Sequence, residues 1–195
     1  MVQAVELADY REAVARMYLS GLGLEEFRAR RDELFASHPQ SPIPPEERPT
    51  FSGLRYFPPA DDAIVEVSLR EQPGRMEIDT DGPDGVMRYE RVGMLITPWG
   101  PLSLWWIAAY GGGLFLPLRD GTSGRETYGG GRYLTDTVKG TYGRGLQLLG
   151  SDRARLDFNY AYNPSCAYDS AWACPLAPRE NWLADPLRAG ELSYH

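Results

Sequence analysis

Beyond the first third of the chain, apolar residues recur at every second position in short runs broken by glycine and proline. No other feature constrains the fold as much. Val65, Val67 and Leu69 alternate with Glu66, Ser68 and Arg70, and Met76 and Ile78 alternate with Glu77 and Asp79. Successive side chains of a strand point to opposite faces, so each run reads as a half-buried β-strand. Asp81-Gly82-Pro83-Asp84-Gly85 supplies a turn. Residues 86–97 and 102–110 suit a long hairpin around Pro98-Trp99-Gly100-Pro101, with a further short strand at 114–118 after Gly111-Gly112-Gly113. Segments 132–137 and 153–158 complete a series of about seven or eight short strands. No alternating series of strand and helix appears, which argues against a doubly wound parallel sheet. The expected architecture is mainly β (α+β), an antiparallel β-barrel or sandwich.

Two helices precede this β core. Leu7, Tyr10, Val14, Met17 and Tyr18 recur at helical spacing until Gly21 and Gly23 stop the run. Leu24, Phe27, Leu34 and Phe35 mark one face of a second helix, with Glu26, Arg30 and Glu33 on the other. His38-Pro39-Gln40-Ser41-Pro42-Ile43-Pro44-Pro45 cannot continue it, because proline fixes φ and removes donors. An extended, polyproline-like connector over the surface is the natural reading. The last stretch, residues 159–195, breaks both periods and reads as a long irregular wrap around the sheet. The chain is thus expected to form a single domain over 1–195, with a helical part at 1–37, a β core at 50–158 and the wrap at 159–195.

The composition narrows the partners. With 43% hydrophobic residues in 195, the chain can bury a substantial core. A formal net charge of −7, with no run of basic residues, favours neither nucleic acid nor an anionic membrane surface. The longest apolar stretch, 102–110, is too short to span a bilayer. Residues 1–10 carry Glu6 and Asp9 and lack the basic and apolar regions of a signal peptide, so a soluble, cytoplasmic protein is the expectation. Lys139 is the single lysine among the 20 basic residues, so Schiff-base chemistry has almost no candidate.

The densest polar chemistry lies between residues 120 and 191. In Asp120-Gly121-Thr122-Ser123-Gly124-Arg125, a turn rich in Gly, Thr and Ser can aim backbone N–H groups at an anion, with Arg125 and Arg132 completing the charge match. The same residues can instead cap a tight turn through side-chain-to-backbone bonds. Cys166 and Cys174 lie too far apart in sequence for a C-x-x-C knuckle; reduced thiols, a disulfide and a metal site completed by His38 and a carboxylate all remain open. A nucleophilic set can be drawn from His38, Asp120 or Asp157, and Ser41, Ser123 or Cys166, although no nucleophile elbow is present. Asp120, Glu126, Asp157, Glu180 and Glu191 offer acid–base pairs, against which Arg132, Arg153, Arg155 and Arg179 offer ion-pair partners. Tyr128, Tyr133, Phe158, Tyr160, Tyr162, Tyr168, Trp172 and Trp182 crowd the same part, which suits a pocket or a wet packing seam. Phe158, Tyr160 and Tyr162 alternate as if on one strand face. The adjoining Trp105 and Trp106 place one indole inward and the other toward the helices or a partner, which leaves a homodimer open.

Residues 120–134, 156–168 and 174–183, with the closing Ala189-Gly190-Glu191, resemble an uncharacterised prokaryotic family, the domain of unknown function numbered 1684. The resemblance extends back to Ser41-Pro42-Ile43 and Gly53-Leu54-Arg55-Tyr56-Phe57, and departs at Trp182, where many relatives carry arginine. It implies no activity, cofactor or catalytic residue. Three functions stay open. The leading one is binding of a small polar or anionic ligand by Asp120, Thr122, Arg132, Asn159, Asn163 and Tyr168. The others are a hydrolase using His38, Cys166 or a bound metal, and a structural or interaction protein whose motifs pin the tail.

Overall fold

The computed structural model of the chain describes residues 2–79, 85–172 and 174–195. Residues 81–84 of the expected turn lie outside these. Two helices open the fold, α1 (Val2–Leu19) and α2 (Leu24–Ser37). Eight strands follow: β1 (Ile64–Arg70), β2 (Arg75–Asp79), β3 (Val86–Thr97), β4 (Gly100–Ile107), β5 (Gly113–Leu118), β6 (Arg132–Asp136), β7 (Leu146–Leu148) and β8 (Arg153–Asp157). They pair antiparallel in the order β6-β5-β4-β3-β1-β8-β7, with β2 added alongside β3. The sheet curls into a nearly closed barrel. Its two ends approach where β6 meets the chain entering β7: a Cβ on Gly145 would lie 2.4 Å from the Leu134 carbonyl oxygen.

Period two explains the two cores. Leu104, Leu116 and Leu134 face the barrel interior, where they join Val67, Leu95, Leu102, Leu146 and Leu156. Their sequence neighbours Trp105, Phe115 and Tyr133 face the other way and pack with Tyr89 and Tyr162 into a second cluster. Each fully buried leucine contributes about 1.5–3 kcal/mol relative to an exposed one. Trp105 is fully buried, whereas its neighbour Trp106 is 42% exposed.

The helices close over this structure through Val14, Met17 and Tyr18 of α1 and Phe27 of α2, with Tyr160 packed against them. No described helix is long and apolar enough to cross a membrane. Two local expectations are corrected. The 38–45 connector folds into turns, and Ile43 is fully buried against Phe35 and Tyr168. The aromatics of 158–162 share no strand face, because Phe158–Tyr160 is a 3-10 turn capped by the Asp157 side chain, which accepts the Asn159 N–H. Phe158 consequently enters the barrel core, Tyr160 meets the helices and Tyr162 joins the second cluster.

The tail is irregular yet tied to the sheet by hydrogen bonds. Leu183 N–H donates to the Arg119 carbonyl and Arg119 N–H to that of Asn181. Asn181 takes the place of a neighbouring strand: its Oδ1 accepts the Ser103 N–H, and its Nδ2 donates to the carbonyls of Ser103 and Pro117. Further on, Phe57 N–H donates to the Gly190 carbonyl, and Leu192 N–H to that of Arg55.

Candidate functional site

The six residues singled out in the sequence fall into three separate places. Asp120, Thr122 and Arg132 make one fully buried cluster. Asp120 Oδ1 accepts from Thr122 N–H (2.8 Å), the Thr122 hydroxyl (2.7 Å) and Leu187 N–H (3.1 Å). Its Oδ2 accepts from Arg132 Nη2 at 2.8 Å. Arg132 also donates to the carbonyls of Leu187 (3.0 Å), Ala189 and Glu191. The anion held by this glycine-rich turn is therefore the chain's own Asp120. Burial alone would raise its pKa, but Arg132, Thr122 and Leu187 together hold it below the usual carboxylate value. Gly121 is required here, since a Cβ would meet the Ala184 carbonyl oxygen at 2.8 Å and Pro186 N at 2.9 Å.

Asn159 stands apart. Its amide pins the segment before β1 by exchanging two hydrogen bonds with Ala60, at 2.9 and 3.0 Å, while Nδ2 also reaches Asp157.

Asn163 and Tyr168 meet at the third place, around Glu191 and a residue with no part in the sequence-based expectation, Arg31. Arg31 lies one turn from both Phe27 and Phe35 and is buried with them on the inner face of α2. Its Nη1 pairs with Glu191 Oε2 at 2.9 Å and reaches the Tyr56 hydroxyl at 2.8 Å, while Nη2 reaches the Tyr168 hydroxyl at 3.0 Å. Tyr168 donates its proton to Glu191 Oε1, and Asn163 N–H donates to Glu191 Oε2 at 3.0 Å. Burial works against the Arg31 charge, yet Glu191 and the surrounding phenols raise its pKa well above the ordinary value. Tyr168 is raised too, first by burial, and Tyr10 and Tyr56 are pushed up to about 12 by the same cause. These phenols are protonated donors at any physiological pH. Gly190 lets the tail reach this place, because a Cβ there would sit 2.6 Å from the Ala161 carbonyl oxygen.

A cavity of about 60 Å³ opens beside this network, between the helices and the barrel. Tyr10, Tyr18, Arg31, Lys139, Thr141 and Asn163 give it polar walls, and Val14, Met17 and Phe35 give it apolar ones. Asn163 donates Nδ2 to the Leu192 carbonyl at 2.8 Å, but its buried Oδ1 has no donor. Arg31 escaped the sequence reading because charges were assigned to the solvent side. The signal was its spacing, four residues from each of two buried phenylalanines.

The remaining candidates are placed as follows. His38 Nε2 lies 3.1 Å from Asp9 Oδ2, and its Nδ1 accepts the Gln40 N–H. Ser41 donates its hydroxyl proton to the Phe35 carbonyl. Among the described residues no group of three or more His, Cys, Asp or Glu could hold a metal ion. Cys166 and Cys174 are free thiols that lie side by side.

The family described as "Protein of unknown function (DUF1684)" matches residues 49–192. No curated protein matches the chain. The solution NMR structure of an uncharacterised protein of Haloarcula marismortui is 38% identical, covers 88% of this chain and 94% of its own, and superposes with a TM-score of 0.59.

Proposed function

This chain belongs to the DUF1684 family, and from that premise we propose that it binds a small polar or anionic molecule in the cavity between its two helices and the barrel. The observation that carries this reading is Asn163, whose buried Oδ1 is an acceptor without a donor and which lines the cavity together with Arg31 and Lys139. A buried polar atom left unpaired costs about 1–3 kcal/mol, which an incoming donor recovers. Arg31 is held by Glu191 at 2.9 Å, whereas Lys139 stands 3.9 Å from Asp136 and is part-exposed, so Lys139 is the more loosely paired cation and the one to meet an anionic group. The occupant then carries a hydrogen-bond donor for Asn163 and a carboxylate or similar acceptor for Lys139 and the phenols. The cavity is small, with room for only a few water molecules. It takes the head group only, and the rest of the molecule occupies the mouth.

For Asp120, Thr122, Arg132 and Asn159 the geometry favours the structural role, because every side-chain polar group except Arg132 Nε is bonded to the chain itself. The ligand site of this proposal rests on Asn163 and Tyr168 with Arg31, Lys139 and Thr141.

The test is a thermal-shift and calorimetric screen of small hydroxy acids, amino acids and carboxamides. A ligand at about a hundred times its Kd stabilises the fold by roughly 2.7 kcal/mol. Asn163→Leu should abolish that gain while costing about 1 kcal/mol for the lost Leu192 bond. A screen with no stabilising compound, or a hit whose effect survives Asn163→Leu, removes the proposal.

A further inference from the structure

Outside this cavity, the two cysteines form a second chemical centre. Cys166 sits in the 3-10 turn Ser165–Ala167, and Cys174 stands at the start of the tail's return along the sheet. The backbone N–H of Cys166 donates to Cys174 Sγ at 3.3 Å, which sets the two thiols side by side. Behind Cys166, the Tyr128 hydroxyl donates to its sulfur at 3.7 Å. Cys166 thus accepts from Tyr128 at its sulfur, and Cys174 accepts the Cys166 backbone N–H. Both sulfurs line an open groove of about 600 Å³ whose other walls include Met76, Ile78, Tyr128, Trp172 and Leu176. Trp172 and Leu176 are partly exposed there, at 38% and 46%.

We propose that Cys166 and Cys174 are a peroxide-reactive dithiol that closes reversibly to a disulfide, with Cys174 as the attacking sulfur and Cys166 as the resolving one. The Cys174 thiolate attacks one oxygen of a hydroperoxide, the O–O bond breaks and the alkoxide leaves, taking a proton to become the alcohol. Cys174 is then a sulfenic acid. The Cys166 sulfur attacks it, the S–O bond breaks, and the departing hydroxide leaves with the thiol proton as water. In sum two thiols lose two electrons, and the peroxide is reduced to an alcohol and water. An external dithiol restores the pair by exchange.

The electrostatics agree with this division of labour. The neighbouring Cys166 thiol, acting against burial and helped by Lys139, lowers the Cys174 pKa to about 6. The same interaction, with burial, pushes Cys166 up, so it stays a thiol until Cys174 is oxidised. Oxidation removes the thiolate that held the Cys166 proton, which frees Cys166 to react. Other charged or titratable groups near the pair are Tyr133, Glu77 and Asp79 across the groove on β2, and Glu47, Asp169 and His195 on the far side of Cys166. The two carboxylates oppose a negative sulfur, and Lys139 favours it.

The fully reduced chain is treated with one equivalent of hydrogen peroxide or of cumene hydroperoxide, quenched with a maleimide and weighed by mass spectrometry. The expected product is two hydrogens lighter and takes up no maleimide; a reducing dithiol restores both alkylation sites. Cys166→Ser should halt at a sulfenic acid on Cys174 that dimedone traps, and Cys174→Ser should leave Cys166 unoxidised at the same dose. Faster reaction with cumene hydroperoxide assigns the apolar groove to an organic substituent, and equal or slower reaction assigns the substrate to hydrogen peroxide. Two alkylated thiols after either peroxide, or a disulfide formed only between molecules, overturns the proposal. So does Cys166→Ser without a dimedone adduct.

Discussion

Buried carboxylates in this fold pull stability in opposite directions with pH, and the direction follows from what each one touches. Asp120 is fully enclosed with Arg132 and three further donors, so its folded pKa lies below the unfolded value of about 3.9. Its stabilisation is complete above the unfolded pKa and is lost as pH falls through the folded one. Asp136 is the reverse. Burial raises its pKa, Lys139 is 3.9 Å away, and Oδ1 has no hydrogen-bond partner. Ionising it in the fold is unfavourable, so its contribution falls as pH rises from the unfolded toward the raised folded pKa. Asp120→Asn should therefore cost about 3–5 kcal/mol at neutral pH, because Arg132 is left as an unpaired buried charge. Asp136→Asn should raise stability at neutral pH. Urea unfolding followed from neutral pH into acid checks both: the Asp136→Asn difference should close as pH falls to the unfolded carboxylate value, and the Asp120→Asn difference only below it. An Asp136→Asn chain weaker than the parent at neutral pH would falsify this account of Asp136.

At the scale of elements, α1 is held by a clamp from the strand side as well as by its apolar face. Arg144, ahead of β7, donates to the carbonyl of Tyr18 in the last turn of α1 (3.1 Å) and to those of Ser20 and Leu22 (2.6 Å) in the link that follows it. Charge-assisted bonds of this kind contribute about 1.5–3 kcal/mol each. Arg144→Met should speed amide hydrogen exchange in the last turns of α1 by roughly tenfold or more, with exchange in β3 and β4 unchanged. Equal acceleration in both would mean that the clamp supports the whole barrel instead. Sequence periodicity made most of the elements legible. Val65, Val67 and Leu69 are the inward side of β1, and β3 ends where Thr97 meets Gly100 across the Pro98-Trp99 turn. It failed where a local bond or a short element overrides it. At β7 three residues are too few to show a period, and after Asp157 the side-chain cap turns an apparent strand into a 3-10 turn. Ile43 lay among prolines that suggested a surface connector, and nothing local marks it as core.

Taken whole, the molecule joins three distant parts of the chain through one buried ion pair: α2 at Arg31, the segment before β1 at Tyr56 and the tail at Glu191. Asn163, Tyr168 and Glu191 stood within the polar motifs and were visible in the sequence. Arg31 was not, because an arginine amid the charges of α2 reveals its burial only once the tail's carboxylate is placed against it. The pair should make helices and barrel unfold together. In the parent chain, loss of helical circular dichroism and loss of tryptophan fluorescence, which reports Trp99 and Trp105 near the two cores, should coincide in urea. Glu191→Gln strands the Arg31 charge and should cost about 3–5 kcal/mol, with the helical signal lost first. Pairing it with Arg31→Met removes both charges, so the double variant should recover much of that loss and bring the two transitions back together. If the double variant is as weak as the sum of the single ones, the ion pair is not the joint. The helices would then be held by their apolar contacts and the Arg144 clamp.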